Sequence, residues 1–237
     1  MIVSGITLNN VGFVVDGTFN TNDALLYLDA GNPASYSGSG TTWTDLSSNA
    51  NNATLVGSPA FTSAGVASYF SFSGNGTQYA GTATAKWNKT YTGKTVFVAA
   101  RLTDIATNTF RCLFGTGAGT RNFNTYIFRT SAGAYQIHFS AGPYGGFSTN
   151  LSFSLNTWFV AAVTMTTGGA VTYYYNGQPA GTDSGTFAQW VSNGNENVAY
   201  GDNYWYGAIP LVAVYGRALS SAEILQNYNA INSRYGL

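Results

Sequence analysis

Residues 205–224 read WYGAIPLVAVYGRALSSAEI, and the change of character inside this stretch decides the fold class. Trp205–Tyr215 is a nearly unbroken apolar and aromatic run bounded by glycine, which is the signature of a buried strand. At Ser220-Ser221-Ala222-Glu223 the chemistry becomes that of a helix start. The serine hydroxyl can accept from one orphan amide while the glutamate carboxylate accepts from another. Ile224, Tyr228 and Ile231 then recur at helical spacing. The stretch predicts a core strand followed by one short helix, Ser220–Asn232, covering an edge or end of the strands.

Outward from this block, every other periodic segment reads as strand. Thr95–Arg101 (TVFVAAR) and Trp158–Met165 (WFVAAVTM) are apolar on both faces, so they are expected at the centre of a sheet covered on both sides. Ala24–Leu28 is the first strand-like run, and Ser68–Ser73 (SYFSFS) alternates with period two before the turn Gly74-Asn75-Gly76. Tyr126–Arg129 and Tyr135–Phe139 flank a turn at Ser131-Ala132-Gly133. Val171–Tyr175 and Gln178–Gly181 flank Asn176-Gly177, a dipeptide suited to a two-residue hairpin because both turn residues need positive φ. Asn197–Gly201 adds one more short run. The expected architecture is all-β, two antiparallel sheets with one short C-terminal helix. Residues 1–22 lack aromatic density and read as an N-terminal arm with one or two short strands, leaving 23–237 as the sandwich domain.

Composition agrees. The 237 residues suit one large sandwich, and Cys112 is the single cysteine, so no internal disulfide forms. Cys112 lies in the apolar run Phe110–Phe114 and is expected to be buried and inert. Only 8% of residues are charged, while 45% are hydrophobic and 16% aromatic. A surface this poor in charge does little to keep copies apart, which fits an assembly or an extracellular coat. Net charge is zero. Acidic residues (Asp16, Asp23, Asp29, Asp45) occupy the first third, and a basic cluster from Lys86 to Arg129 follows. Internal pairing of the two is expected, with a basic strip for an anionic glycan as the alternative. No secretory leader and no apolar run of membrane-spanning length stand out. The four Asn-x-Ser/Thr sites, at Asn52, Asn75, Asn88 and Asn150, reflect Asn and Thr richness.

The order of these pieces resembles the laminin-G-like, concanavalin A-like lectin/glucanase jelly roll. The resemblance rests on Tyr69–Tyr79 (YFSFSGNGTQY), Thr95–Arg101, Leu113-Phe114-Gly115, Leu155–Ala162 (LNTWFVAA), Val171–Gln178 (VTYYYNGQ) and, most specifically, Trp205–Ile224. It implies a two-sheet jelly roll over roughly residues 24–237. Leu28–Pro33, Trp43–Ser47 and Arg234–Leu237 resemble a subset frequent in tailed-phage structural proteins. The chain departs from the common form at Pro210, where many relatives carry an acidic residue.

Hydrolytic relatives use carboxylates alternating on one strand, an acid and a nucleophile about 5.5 Å apart. Here the only glutamates are Glu196 and Glu223, the latter expected as a helix cap, and no two acidic residues lie within five positions of each other. The chain therefore reads as non-enzymatic. His138, the single histidine, reads as structural, and there is no zinc, Walker or dinucleotide motif. No cofactor is expected. The resemblance implies one weak calcium candidate, Asp202.

Aromatic side chains stack on the apolar faces of sugars and offer polar tips to their hydroxyls. The candidate glycan-binding residues are Tyr144, Trp190, Asp202, Asn203, Tyr204 and Trp205, with Phe147 beside Tyr144 in the glycine-rich loop 141–147. Trp43 and Trp158 are expected in the core. Two functions fit. The first is a phage structural protein, a homo-oligomeric decoration or fibre module in the virion. Its arm would bind other virion proteins, and its sandwich would make weak contacts with host-surface glycans. The second is an extracellular or cell-surface lectin. Neither calls for nucleic acid or a membrane.

Overall fold

The computed structural model describes residues 6–8, 13–15, 17–82, 91, 93–116, 123–141, 144–184, 195–201 and 203–237. In chain order they form β1 (Ile6–Leu8), β2 (Phe13–Val15), β3 (Ala24–Asp29), β4 (Thr42–Trp43), β5 (Ala53–Val56), β6 (Ala60–Thr62), β7 (Tyr69–Ser73), β8 (Tyr79–Thr82) and β9 (Gly93–Leu102). There follow β10 (Thr109–Thr116), β11 (Asn124–Arg129), β12 (Tyr135–Ala141), β13 (Tyr144–Phe147), β14 (Trp158–Thr166), β15 (Ala170–Tyr175), β16 (Gln178–Ser184), β17 (Glu196–Val198), β18 (Tyr206–Tyr215) and α1 (Ser221–Tyr235).

Two antiparallel sheets face each other. The front sheet runs β13-β12-β11-β10-β17-β8-β5-β4, and the back sheet runs β16-β15-β14-β9-β18-β7-β6. β3 also joins the back sheet, pairing with the second half of β18 where β7 pairs with its first half. β1 and β2 form a separate two-stranded sheet. The long crossings between sheets are those of a jelly-roll sandwich, as the sequence predicts.

The two runs expected to be apolar on both faces, β9 and β14, lie with β18 at the centre of the back sheet. Val96, Val98 and Ala100 of β9, with Phe159, Ala161 and Val163 of β14, point inward against Phe114, Ile127, Ile137 and Phe139 of the front sheet. Phe97, Ala99, Val160, Ala162, Leu211, Ala213 and Tyr215 point outward and form a second apolar cluster. α1 covers that cluster with Ile224, Ile231 and Tyr235. The helix thus lies across a sheet face rather than at an edge, because the outward residues of β9, β14 and β18 are themselves apolar and need a cover.

The helix boundaries follow from their caps. The Glu223 amide donates to Ser220 Oγ at 3.3 Å and the Ser220 amide donates to Glu223 Oε2 at 2.9 Å, the expected capping box. Gly236 ends the helix at φ 67°. The helix runs three residues beyond Asn232 because Arg234 ties its last turn to Asp29 of β3 at 2.7 Å, and Tyr235 packs on Trp158. At the hairpin between β15 and β16, Asn176 and Gly177 take φ 48° and 77°. The Asn176 side chain also accepts from the Val160 amide at 2.8 Å.

Charge pairing differs from the expected match of the acidic first third with the basic cluster: among the described residues the early aspartates pair with C-terminal arginines, and the one pair from the basic cluster goes to Glu196. Asp29 meets Arg234, Asp23 and Glu223 meet Arg217, and Lys94 meets Glu196. Lys94 from the back sheet and Glu196 from the front sheet both point into the core, so this pair bolts the two sheets together. Cys112 is fully buried, as is Trp43, but Trp158 is only half-buried and stands on the outer side of β14. No helix among the described residues is long and apolar enough to cross a membrane.

Candidate functional site

The back sheet is largely roofed by α1 and by residues 17–22, where Phe19 stacks on Tyr27 at 4.7 Å and Asn20 donates to Glu223 and Asn227. The front sheet has no such cover among the described elements. Its outward positions follow from period-two alternation. Leu113, Ile127, Ile137 and Phe139 point in, so Phe110, Cys112, Tyr126, Phe128 and His138 point out.

Register then brings the outward aromatics together. Phe110 pairs with Phe128, Tyr126 with His138, and His138 with Phe147. Phe110 and Phe128 stack at 4.5 Å between centroids. Phe147 sits 4.3 Å from His138 and 5.3 Å from Phe128. Phe147 is 41% exposed, while Phe110, Phe128 and His138 are half-buried. His138 Nδ1 lies 2.8 Å from the Gly146 carbonyl. The imidazole is thus anchored to the backbone through Nδ1, and its ring lies in the aromatic face.

A second aromatic group continues the face toward β8. Tyr79 packs on Tyr200 at 4.7 Å, and Tyr200 on Tyr204 at 5.3 Å. Gly201 closes the join between the groups, lying so near Cys112 that a Cβ there would come 2.7 Å from the sulfur. Tyr126 is fixed in the same seam by Asn124, whose amide donates to its hydroxyl at 2.6 Å. From β8 to β13 the face spans six neighbouring strands, about 24 Å at ordinary strand spacing. Among the described residues it carries aromatic rings, one imidazole and tyrosine hydroxyls, and no carboxylate.

Of the expected glycan-binding residues, Tyr204 is half-buried within this face, and Asn203 stands next to it with its carbonyl accepting from the Cys112 amide at 3.1 Å. Trp205 is a correction. It is 0% exposed and packs in the core against Phe159, because the alternation after Tyr204 turns it inward. Trp190 and Asp202 lie outside the described residues, as does the side chain of Tyr144. Residues 144–147 are a strand rather than part of a loop, and this is what puts Phe147 on the face. Phe110, Phe128, Tyr126 and Tyr79 were not legible as a site. Their period-two spacing was visible, but only strand pairing shows that they converge.

Four described acidic residues, Asp29, Asp45, Glu196 and Glu223, hold the fold together. Asp45 accepts from the amides of Tyr27, Ser47 and Asn51, Asp29 from Tyr27 and Arg234, and Glu196 from Lys94. Glu223 caps α1 and holds Arg217, whose guanidinium draws its carboxyl down to about 2. No group of three or more metal-ligating side chains occurs among the described residues.

The profile of the concanavalin A-like lectin/glucanases superfamily matches residues 74–225, more than half of the sequence. The chain belongs to the concanavalin A-like lectin/glucanases superfamily. Among solved members of this lectin-like fold, it is similar to domain 4 of AbnA, an extracellular arabinanase from Geobacillus stearothermophilus, solved with arabinotriose. The TM-score is 0.66 at 14% identity, covering 87% of this chain and 98% of that domain. It is also similar to the binding domain of Paraclostridial Mosquitocidal Protein 1, at TM-score 0.68 and 14% identity, covering 89% of this chain. A botulinum neurotoxin type C structure, described by cell entry through two ganglioside molecules, gives TM-score 0.66 at 13% identity over 89% of this chain. This lectin-like chain spans 52% of each of the two toxin chains. At these identities the likeness is one of fold. No curated protein matches the sequence.

Proposed function

We propose that the protein is an extracellular carbohydrate-binding module, without catalysis of its own, that holds glycans on the outer face of the front sheet. The observation that carries this reading is the belt from Tyr79 to Phe147, partly buried aromatic rings with Phe147 exposed, arranged across six strands. Such rings take up the apolar faces of sugars, while tyrosine hydroxyls and the imidazole bond to sugar hydroxyls. The lectin superfamily and the likeness to a domain solved with arabinotriose support it. The reading as a virion component, with partners reached through residues 1–22, gains nothing from these comparisons.

The test is a titration of the purified chain with neutral oligosaccharides from a glycan array, followed by calorimetry on the hits. Losing one stacking ring removes about 1 kcal/mol. Phe147→Ala and Phe110→Ala should therefore each weaken binding by roughly five-fold or more, with the melting temperature little changed for the exposed Phe147. Unaltered affinity in both variants sinks the assignment of the face.

A further inference from the structure

A second feature stands on the back sheet, beyond the end of α1. Arg101 of β9 projects outward between Tyr69 of β7 and Trp158 of β14. Its guanidinium carbon lies 5.0 Å from the Tyr69 ring centre and 4.8 Å from that of Trp158, and the two rings are 5.3 Å apart. One terminal nitrogen donates to the Tyr69 hydroxyl at 3.2 Å.

The other described cations have conventional partners. Lys94, Arg217 and Arg234 meet carboxylates, and Arg111 and Arg129 donate to the backbone carbonyls of Asp104 and Ile105. Among the described residues, Arg101 alone meets neither. A guanidinium has five N–H donors. Those of Arg101 beyond the Tyr69 bond are not among the buried atoms that lack a partner, so they face solvent.

The surroundings form a shallow basin. Ser71, Ala208, Arg101 and Trp158 make one row across four adjacent strands. Ser71 and Ala208 are small, and taller rings flank them. Tyr69 stands two residues before Ser71, and Tyr206, 38% exposed, stands two residues before Ala208. A guanidinium held between two rings and bonded to the Tyr69 hydroxyl is already oriented, so little rotamer freedom remains to be lost when its free edge meets a planar carboxylate. The remaining floor offers a ring, Tyr206, and a hydroxyl, Ser71, which are partners for a sugar rather than for a bare ion.

We infer that this basin is a second glycan site, separate from the aromatic face, and that it takes a carboxylate-bearing sugar. The acid lies on Arg101 and the sugar ring lies against Tyr206. Titrating the whole chain with sialyllactose against lactose, and with oligogalacturonate against its methyl ester, tests this. The indole N–H resonance of Trp158, assigned by its loss in Trp158→Phe, provides the local readout. The acidic sugars should shift that resonance and bind at least about tenfold more tightly than their neutral counterparts, as a charge-assisted pair implies. Arg101→Gln should remove the preference, and Arg101→Lys should restore only part of it. Should Arg101→Gln fail to fold, Ser71→Leu, which fills the basin, is expected to abolish acidic-sugar binding. Equal binding of acidic and neutral sugars, or acidic-sugar binding unchanged in Arg101→Gln or Ser71→Leu, overturns the inference. So does sulfate alone binding as tightly as the sugars, since that would make the basin a bare anion site.

Discussion

Replacing Glu196 by Gln should cost the fold about 3–5 kcal/mol, the usual penalty for stranding one member of a buried ion pair. Both Glu196 oxygens lie within hydrogen-bond reach of Lys94 Nζ, at 2.9 and 3.0 Å, and the two side chains are 1% and 0% exposed. Around the ammonium stand the rings of Phe123, at 4.8 Å, and Phe114, at 5.6 Å. Burial already lowers Lys94 from 10.5 to about 8, and Glu196 is the group that opposes the fall. Without that carboxylate Lys94 drops further. From that lower value up to the unfolded value, the unfolded chain then holds one more proton than the folded chain, so stability rises with pH. The slope approaches 1.4 kcal/mol per pH unit, about one proton's worth. The wild type should gain stability from this source only above about pH 8, whereas Glu196→Gln should gain already below it. Urea unfolding at a series of pH values measures both effects, and at neutral pH the melting temperature should fall by about 6–20 °C. Combining Lys94→Met with Glu196→Leu should recover most of the loss, since an apolar pair of similar volume is often as stable as the ions. A loss below about 1 kcal/mol in Glu196→Gln, or a double variant as weak as the single one, refutes the bolt between the sheets.

Glu223→Gln should destabilise the chain by about 1–2 kcal/mol at neutral pH through the lost cap and the lost Arg217 contact. The folded carboxyl is depressed to about 2 from 4.5. Its contribution is therefore present above pH 4.5 and lost as pH falls toward 2, so the wild-type advantage in thermal melts should shrink over that window. Gly177→Ala should cost about 1–2 kcal/mol, because φ is +77° and a Cβ there would come 2.8 Å from the Tyr228 ring. Faster amide exchange in β15 and β16 and a lower melting temperature would report it; an unchanged melt would show that the hairpin can rotate away from α1.

The strands, the hairpin and the capped helix were legible because each is written in local chemistry. Asn176-Gly177 dictates its own turn, Ser220 and Glu223 satisfy each other's amides, and β9 and β14 are apolar at consecutive positions. The aromatic face was half legible. Tyr204 follows the loop-like Asp202-Asn203, and Phe147 stands in a glycine-rich stretch. Phe110, Tyr126 and Phe128 looked like ordinary strand residues until registers placed them across from one another. Trp205 misled because its neighbours Asp202, Asn203 and Tyr204 suggest a loop. The next residue enters β18, and its indole completes the core beside Phe159. Glu196 could have been a catalytic candidate by residue type alone; only its position opposite Lys94 shows that it belongs to the interior.

Residues 17–22 run alongside α1, and Leu237 bonds back to Asn232 at the last turn of that helix. Immobilising the described domain through a linker placed at Leu237 therefore turns the helix side toward the support. The aromatic belt then faces the solution, while the Arg101 basin, beyond the helix end, faces the surface. A sensor chip coupled in this way would register neutral glycans and under-report acidic ones. The two sites are best weighed against each other with the protein free in solution.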